Sequence, residues 1–181
     1  MFAVTERLLL RPGWAEDALA LSRAIGDEDV VRNLAHARWP YALGDAERFL
    51  AQPLVATRPA FLIAERDGAR VVGGVGLTDN GGEVEIGYWV TRDRWNHGYA
   101  TEAVRAVLAL ADETLRLPRI VASHALDNPA SGAVLRKAGF AATGGISRLH
   151  SLGRGEEMEV RRFARERFGA AGLELGTPLA A

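Results

Sequence analysis

Cysteine is missing from the 181 residues. Its absence excludes disulfides, thiolate metal sites and an acyl-cysteine intermediate. Lysine is nearly missing too. Of the 22 lysines plus arginines, only Lys137 is a lysine, which reads as a compositional bias of the source and not as function. Neither sign of charge dominates, because 22 Lys+Arg against 23 Asp+Glu leave a net charge of −1. The basic surplus of a dedicated nucleic-acid binder is therefore lacking. So is the acidic surplus that would suit a polycationic acceptor. No apolar run approaches the roughly 20 residues that span a bilayer. The stretch from Met1 to Arg11 is interrupted by Glu6, Arg7 and Arg11, so no signal peptide and a cytoplasmic location are expected. The length fits one domain, expected over residues 1–168, with a frayed tail over 169–181.

Hydrophobic spacing sets out the elements. Val4 to Arg11 reads as a first strand stopped by Pro12-Gly13. Ala18, Leu19, Leu21 and Ile25 mark a helix from Ala15 to Ile25, with Gly26 as its stop. Asp27 to Leu34 is a second short helix, and Asp45 is expected to cap a third that runs to about Gln52. The period then changes to two. Ala60–Glu65 and Val71–Leu77 are strands joined by a turn with an Asp-Gly signal. Asp79-Asn80-Gly81-Gly82 is a second turn, leading into Glu83–Val90. Tyr99 to Leu115 carries the strongest helical stripe, through Ala100, Ala103, Val104, Val107, Leu108 and Ala111. Arg119–His124 is a short strand. Asn128 and Pro129 open a last helix that Gly139 stops. Phe140–Ile146 and Glu157–Phe163 complete the set. The order predicts an α+β fold, a mixed and mostly antiparallel sheet with helices on its faces.

The chemistry-bearing stretch runs from Trp89 to Ala103. Here a strand passes through a polar turn straight into the strongest helix. A helix start leaves backbone N–H groups without partners and carries partial positive charge. With Gly98 at the turn, residues His97 to Thr101 can cradle a phosphate, although an ordinary strand-to-helix turn would also need one glycine. Other phosphate motifs fail. Gly74-Val75-Gly76 has Asp79 where the next glycine belongs, and Lys137 follows Arg136 where a Walker loop needs glycine. No G-x-S-x-G elbow occurs. His36, His97, His124 and His150 are too dispersed for a helical zinc site, so no metal is expected.

Four segments in order resemble a known family. Thr5-Glu6-Arg7-Leu8-Leu9-Leu10-Arg11 is similar to its opening strand. Glu85-Ile86-Gly87-Tyr88-Trp89-Val90 is similar to its central strand. Trp95-Asn96-His97-Gly98-Tyr99-Ala100-Thr101-Glu102-Ala103 resembles its coenzyme A pyrophosphate loop. Asn128-Pro129-Ala130-Ser131 through Leu135-Arg136-Lys137-Ala138-Gly139-Phe140 resembles its final coenzyme-binding helix. The family is the GCN5-related N-acetyltransferases (GNAT), in the branch that acetylates ribosomal-protein N-termini (RimJ/RimL type). The loop departs from the family pattern in having Trp95 at its first place and Asn96 where a further glycine is common.

The resemblance implies a GNAT fold of about seven strands with helices on both faces. It implies transfer of an acetyl group from acetyl-CoA to a primary amine, on a protein N-terminus or a small molecule, by direct attack. A coenzyme A-binding sensor or scaffold without turnover is the alternative. No nucleic-acid or membrane partner is implied, and the state is monomer or homodimer. For the cofactor, it assigns the backbone of His97, Gly98, Tyr99, Ala100 and Thr101 to the pyrophosphate. Trp89 and Val90 are assigned to the pantetheine arm, with the Val90 N–H as oxyanion donor. Asn128 either binds the pantetheine chain, caps its helix, or does both. Alternation puts Glu83 and Glu85 on the same strand face as Trp89. Glu85 matches the family's central-strand glutamate and is the expected base. Ser131 matches a serine near the cofactor sulfur and is the expected acid. His124 is a weaker candidate for substrate contact. Trp39 and Tyr41 lie where the family lines its acceptor groove, and a hydrophobic lid is the other reading for them.

Overall fold

Two tight turns commit the middle of the chain to an antiparallel ladder. In this computed structural model, which describes residues 1–167, β3 (Ala60–Glu65), β4 (Val71–Asn80) and β5 (Glu83–Val90) pair in sequence. The first expected strand is in fact a small hairpin. β1 (Ala3–Val4) and β2 (Leu8–Arg11) pair with each other around a turn at Thr5–Arg7, where the Thr5 hydroxyl accepts from Leu8 N–H at 3.0 Å. β2 then extends the ladder against β3. β6 (Arg119–Ala125), β7 (Ala141–Ser151) and β8 (Glu156–Glu166) complete one sheet in the order β1-β2-β3-β4-β5-β6-β8-β7. The described residues thus hold eight strands, one more than the expected seven. All neighbours are antiparallel except β5 and β6. The expected tail at 169–181 lies outside the described residues.

Among the described residues, five α-helices cover the two faces. α1 (Ala18–Ile25) follows a 3₁₀ turn, and α2 (Glu28–Val31) is shorter than the expected Asp27–Leu34. α3 (Leu43–Leu50) starts before Asp45, which is not its N-cap. Ala42 holds that place, and the Asp45 carboxylate reaches back to accept the Ala42 N–H at 2.8 Å. The carboxylate end of a capping box thus stands without the hydroxyl end. α4 (Tyr99–Leu110) continues through a π turn over Ala111–Leu115, and α5 is Pro129–Lys137.

Alternation along the strands splits the core in two. Leu8, Leu10, Phe61, Ile63, Val75, Leu77, Ile86 and Val90 pack with α4 residues Ala103, Val104 and Val107 and with Leu135 of α5. On the opposite face Leu62, Val71 and Trp89 pack against Ala18, Leu21 and Ala46 of α1 and α3. Burying this apolar surface is the main stabilising term, at about 25 cal/mol per Å². The site's geometry follows from it: α4 and α5 are held on one face of β5, α1 and α3 on the other.

Gly73 is where β4 and β5 approach most closely. A Cβ there would lie 2.4 Å from the Trp89 carbonyl oxygen and 3.3 Å from Val90 Cα. These neighbours are backbone and yield only if the hairpin spreads. Gly73→Ala is expected to lower stability by about 1–3 kcal/mol. In urea titration the midpoint should fall with an unchanged slope, and an unchanged midpoint would show that the ladder accommodates the methyl.

Candidate active site

β5 and β6 share a single residue pair, Glu85 with Val121, and then diverge. The cleft of about 1900 Å³ that opens there is lined from both sides of the sheet, by Tyr88, Ser131 and Gly98 as well as Glu85 and Tyr41. The pleat decides which backbone groups face it. Thr91 N–H donates to the Val72 carbonyl at 2.8 Å, and the register pairs Gly74 with Trp89 and Gly76 with Gly87. Antiparallel alternation therefore turns the amides of Gly87 and Trp89 toward β4, and those of Tyr88 and Val90 toward the opening. This corrects the expectation for Trp89, whose backbone is committed to the sheet. The Tyr88 amide, beside that of Val90, faces the opening instead.

The loop into α4 forms the cleft's second wall. Gly98 is the N-cap at φ 80°, and no side chain caps the helix. The N–H groups of Tyr99, Ala100 and Thr101 begin the helix and have no acceptor within it. Asn96 stands at φ 62°, a left-handed conformation that asparagine tolerates better than most residues. That explains how it replaces a glycine. Trp95 fixes the loop to the strand, its indole N–H donating to the Val90 carbonyl at 2.8 Å. Arg7 clamps the other side. Its guanidinium donates to the His97 carbonyl at 2.9 Å and lies 4.8 Å from the centre of the Tyr99 ring. Glu102 holds Arg7 in turn, accepting from its Nε at 2.8 Å and its backbone N–H at 3.0 Å, and from the Thr5 hydroxyl at 2.6 Å.

The start of α5 supplies the third wall. Asn128 caps it, the carboxamide oxygen accepting Ser131 N–H at 3.2 Å, so its Nδ2 is left for other partners. The Ser131 hydroxyl lies 2.8 Å from the Tyr88 hydroxyl. Burial pushes the Tyr88 phenol up to about 12, even though the serine bond works the other way. His124 sits under α5 and not in the cleft. Its Nδ1 bonds the Ala125 carbonyl at 2.7 Å, Phe163 is 5.4 Å away, and a Cβ on Gly132 would lie 2.6 Å from its Nε2.

On the opposite face the two candidate glutamates part company. Glu83 is bound by Arg162 at 2.6 Å and faces Arg119 at 3.6 Å. Asp29, Asp45 and Asp127, also in the cleft wall, are paired with Arg92, Arg48 and Arg154. Glu85 has no arginine partner among the described residues. Its hydrogen bond among the described residues comes from Asn80 Nδ2 at 2.6 Å. Trp89 lies nearby, packed with Tyr41 between α1, α2 and α3. Tyr41 therefore lines the cleft. Trp39 does not: it is 40% exposed and borders a separate small groove with Leu152 and Arg154.

The structure brings Tyr41, Glu85, Val90, Gly98, Tyr99, Ala100, Thr101, Asn128 and Ser131 to one cleft; the sequence reading did not single out Tyr88, Asn80 or the Arg7–Glu102 clamp. Strand alternation carried a signal for Tyr88, since it falls on the face opposite Trp89 and Glu85. Nothing in local spacing pointed to Arg7, which acts across about ninety residues of chain.

A family model described as the acetyltransferase (GNAT) domain matches residues 7–141. The uncharacterized N-acetyltransferase YoaA of Bacillus subtilis is 29% identical over 142 residues, 75% of this chain and 80% of that protein. Among solved structures, an acetyltransferase of the GNAT family from Bacillus anthracis superposes with a TM-score of 0.79 at 25% identity, over 92% of this chain and 98% of that one. RimJ of Mycobacterium smegmatis, solved in complex with CoA-disulfide, has a TM-score of 0.73 at 24% identity, over 88% and 81% of the two chains. At that identity the likeness is one of fold.

The clamp can be tested by acid titration. Burial raises the Glu102 carboxyl, but the Thr5 hydroxyl and the backbone and guanidinium of Arg7 bring it below its ordinary value. A carboxyl depressed in the folded state stabilises fully above its unfolded value of about 4.3, and that contribution is lost as pH falls through the folded value. Glu102→Gln should therefore cost about 1–2 kcal/mol at neutral pH. The gap from the parent protein should narrow as the pH falls below that unfolded value, read from urea midpoints across the pH range.

Proposed function

We propose a direct-attack mechanism for this chain, which belongs to the acetyltransferase (GNAT) family and transfers an acetyl group from acetyl-coenzyme A to an amine. The observation that carries the mechanism is the isolation of Glu85, the cleft-lining carboxylate without an arginine among the described residues. A base must keep its lone pairs free for a proton, and an arginine fork would occupy them. Glu83 is occupied in that way.

The remaining parts fit an acyl-coenzyme donor. The uncapped N–H groups of Tyr99, Ala100 and Thr101, with Gly98 letting a ligand approach closely, would hold the pyrophosphate. His97 and the Thr101 hydroxyl flank them. The free edge of β5 at Tyr88 and Val90 would pair with the pantetheine amides as an added strand does, and Asn128 Nδ2 is placed to join them. The Val90 N–H then serves as donor to the carbonyl oxygen as it gains charge.

The acceptor enters on the Glu85 face, past Tyr41 and Trp89. An α-amino group with a pKa near 8 is largely protonated at neutral pH, so Glu85 removes its proton directly or through water. The amine attacks the thioester carbon, the carbon–sulfur bond breaks, and the Ser131 hydroxyl donates to the departing sulfur. A protein N-terminus or a small primary amine meets these needs.

Glu85→Gln should reduce kcat by about 100-fold while leaving the KM for acetyl-CoA within about threefold. Glu83→Gln should stay within about threefold of the parent in kcat. The readout is free thiol released from acetyl-CoA over a panel of amines. Thiol release independent of Glu85 would remove it from the mechanism. Tight coenzyme binding with no release for any amine would favour a binding module.

A further inference from the structure

The Tyr88 side chain has no place in the mechanism so far, yet its hydroxyl contacts two oxygen atoms of Ser131. Its hydroxyl lies 2.8 Å from Ser131 Oγ and 3.0 Å from the Ser131 carbonyl oxygen. The phenol has one proton to place between them. The carbonyl already serves the hydrogen-bond ladder of α5, and the Ser131 N–H is held by Asn128. With its backbone fixed at both ends, the serine keeps one freedom, rotation of its hydroxyl. A thiolate opposite would draw the serine proton, and Oγ would then accept from the phenol, which settles that rotor.

We propose that Tyr88 is a positioning residue that aims the Ser131 O–H at the departing sulfur, and that the pair donates a hydrogen bond and does not supply a proton. The proposal rests on the reading that Ser131 faces the coenzyme sulfur.

The proton balance points the same way. Attack forms the carbon–nitrogen bond and breaks the carbon–sulfur bond, whose electron pair goes to sulfur. The proton lost by the amine goes to Glu85. Outright transfer of the serine proton would leave an alkoxide beside the Tyr88 phenol, the nearest hydroxyl donor described. Burial holds the phenol at about 12, whereas an ordinary thiol titrates near 8.5, so that transfer runs uphill. The sulfur therefore leaves as a thiolate, held by one charge-assisted hydrogen bond, and gains its proton from solvent as the coenzyme departs. β5 fits Tyr88 for both tasks, since its amide faces the cleft while its side chain reaches α5.

A double-mutant cycle tests this on the full chain, with thiol release from acetyl-CoA as the rate. Tyr88→Phe keeps the buried ring and removes only the hydroxyl. It should lower kcat about tenfold, the loss expected for a misdirected hydrogen bond to a charge, with the KM for acetyl-CoA within about twofold of the parent. Ser131→Ala should lose at least as much. The double variant should match Ser131→Ala within about twofold, because Tyr88 acts through the serine. Full kcat in Tyr88→Phe, or an equal loss in the two serine backgrounds, overturns the proposal. If Ser131→Ala is slow and Tyr88→Phe is not, the proposal fails alone. If Ser131→Ala keeps the parent rate, or the parent releases no thiol with any amine, the reading of the site falls and takes the proposal with it.

Discussion

The parting of β5 from β6 is the constraint on which the rest of the molecule depends. An unpaired amide buried away from water costs about 1–3 kcal/mol, so a sheet does not open at its centre without reason. Here the opening is held by what packs on either side. α4 and α5 sit over one face of β5, α1 and α3 over the other, and the pair Glu85–Val121 ends the ladder. The result is a strand edge inside the fold, with the amides of Tyr88 and Val90 facing a cleft that a thioester arm can fill. The opening also lets chemistry work across the sheet. Glu85 lies on one face and Ser131 beside the other, so in the proposed mechanism base and leaving-group donor would flank the reacting carbon without competing for the same space.

The clamp at the α4 N-terminus solves a second problem created by the same opening. A loop that holds an anion through backbone amides must keep them pointing inward before the ligand arrives. The first hairpin does this from outside. Thr5 and Arg7 lie in the turn between β1 and β2, and both converge on Glu102. Arg7 then reaches the His97 carbonyl. The opening segment and the loop into α4, read as separate matches in sequence, are one hydrogen-bonded unit in space. A strand pattern alone would have missed it, because the residues involved sit in the turn.

Most of the fold and much of the site were legible in the amino-acid sequence. The turns at Asp67-Gly68 and Asn80-Gly81 announce the hairpins, the stripe from Ala100 to Ala111 announces α4, and Asn128-Pro129 announces α5. What was not legible depends on hydrogen-bond phase and on distance along the chain. Alternation places the side chains of Glu83 and Glu85 on one face, but it does not say which amides face a neighbour. Thr91 bonding to Val72 decides that, and it moves the free amide from Trp89 to Tyr88. Trp39 and Tyr41 sit two residues apart, yet one lies in the cleft and the other outside it. The backbone bends between them, and no periodicity reports that.

The two glutamates show how an electrostatic setting separates residues of one type. Glu83 and Glu85 share a strand, a face and a chemistry. With 22 basic residues, all arginine except one, the chain meets its carboxylates with planar forks that bind both oxygens, as Arg11 binds Asp17 and Arg154 binds Asp127. A carboxylate bound in this way is fixed as an anion and is a poor acceptor for another proton. Arg162 reaches from β8 across β6 to Glu83, and its reach ends there. Glu85, two residues on and level with the last shared pair of strands, meets only the neutral amide of Asn80. An amide donor orients a carboxylate without neutralising it. The arginine-rich composition, which says nothing about function when counted, acquires meaning from the cleft carboxylate it leaves unpaired among the described residues.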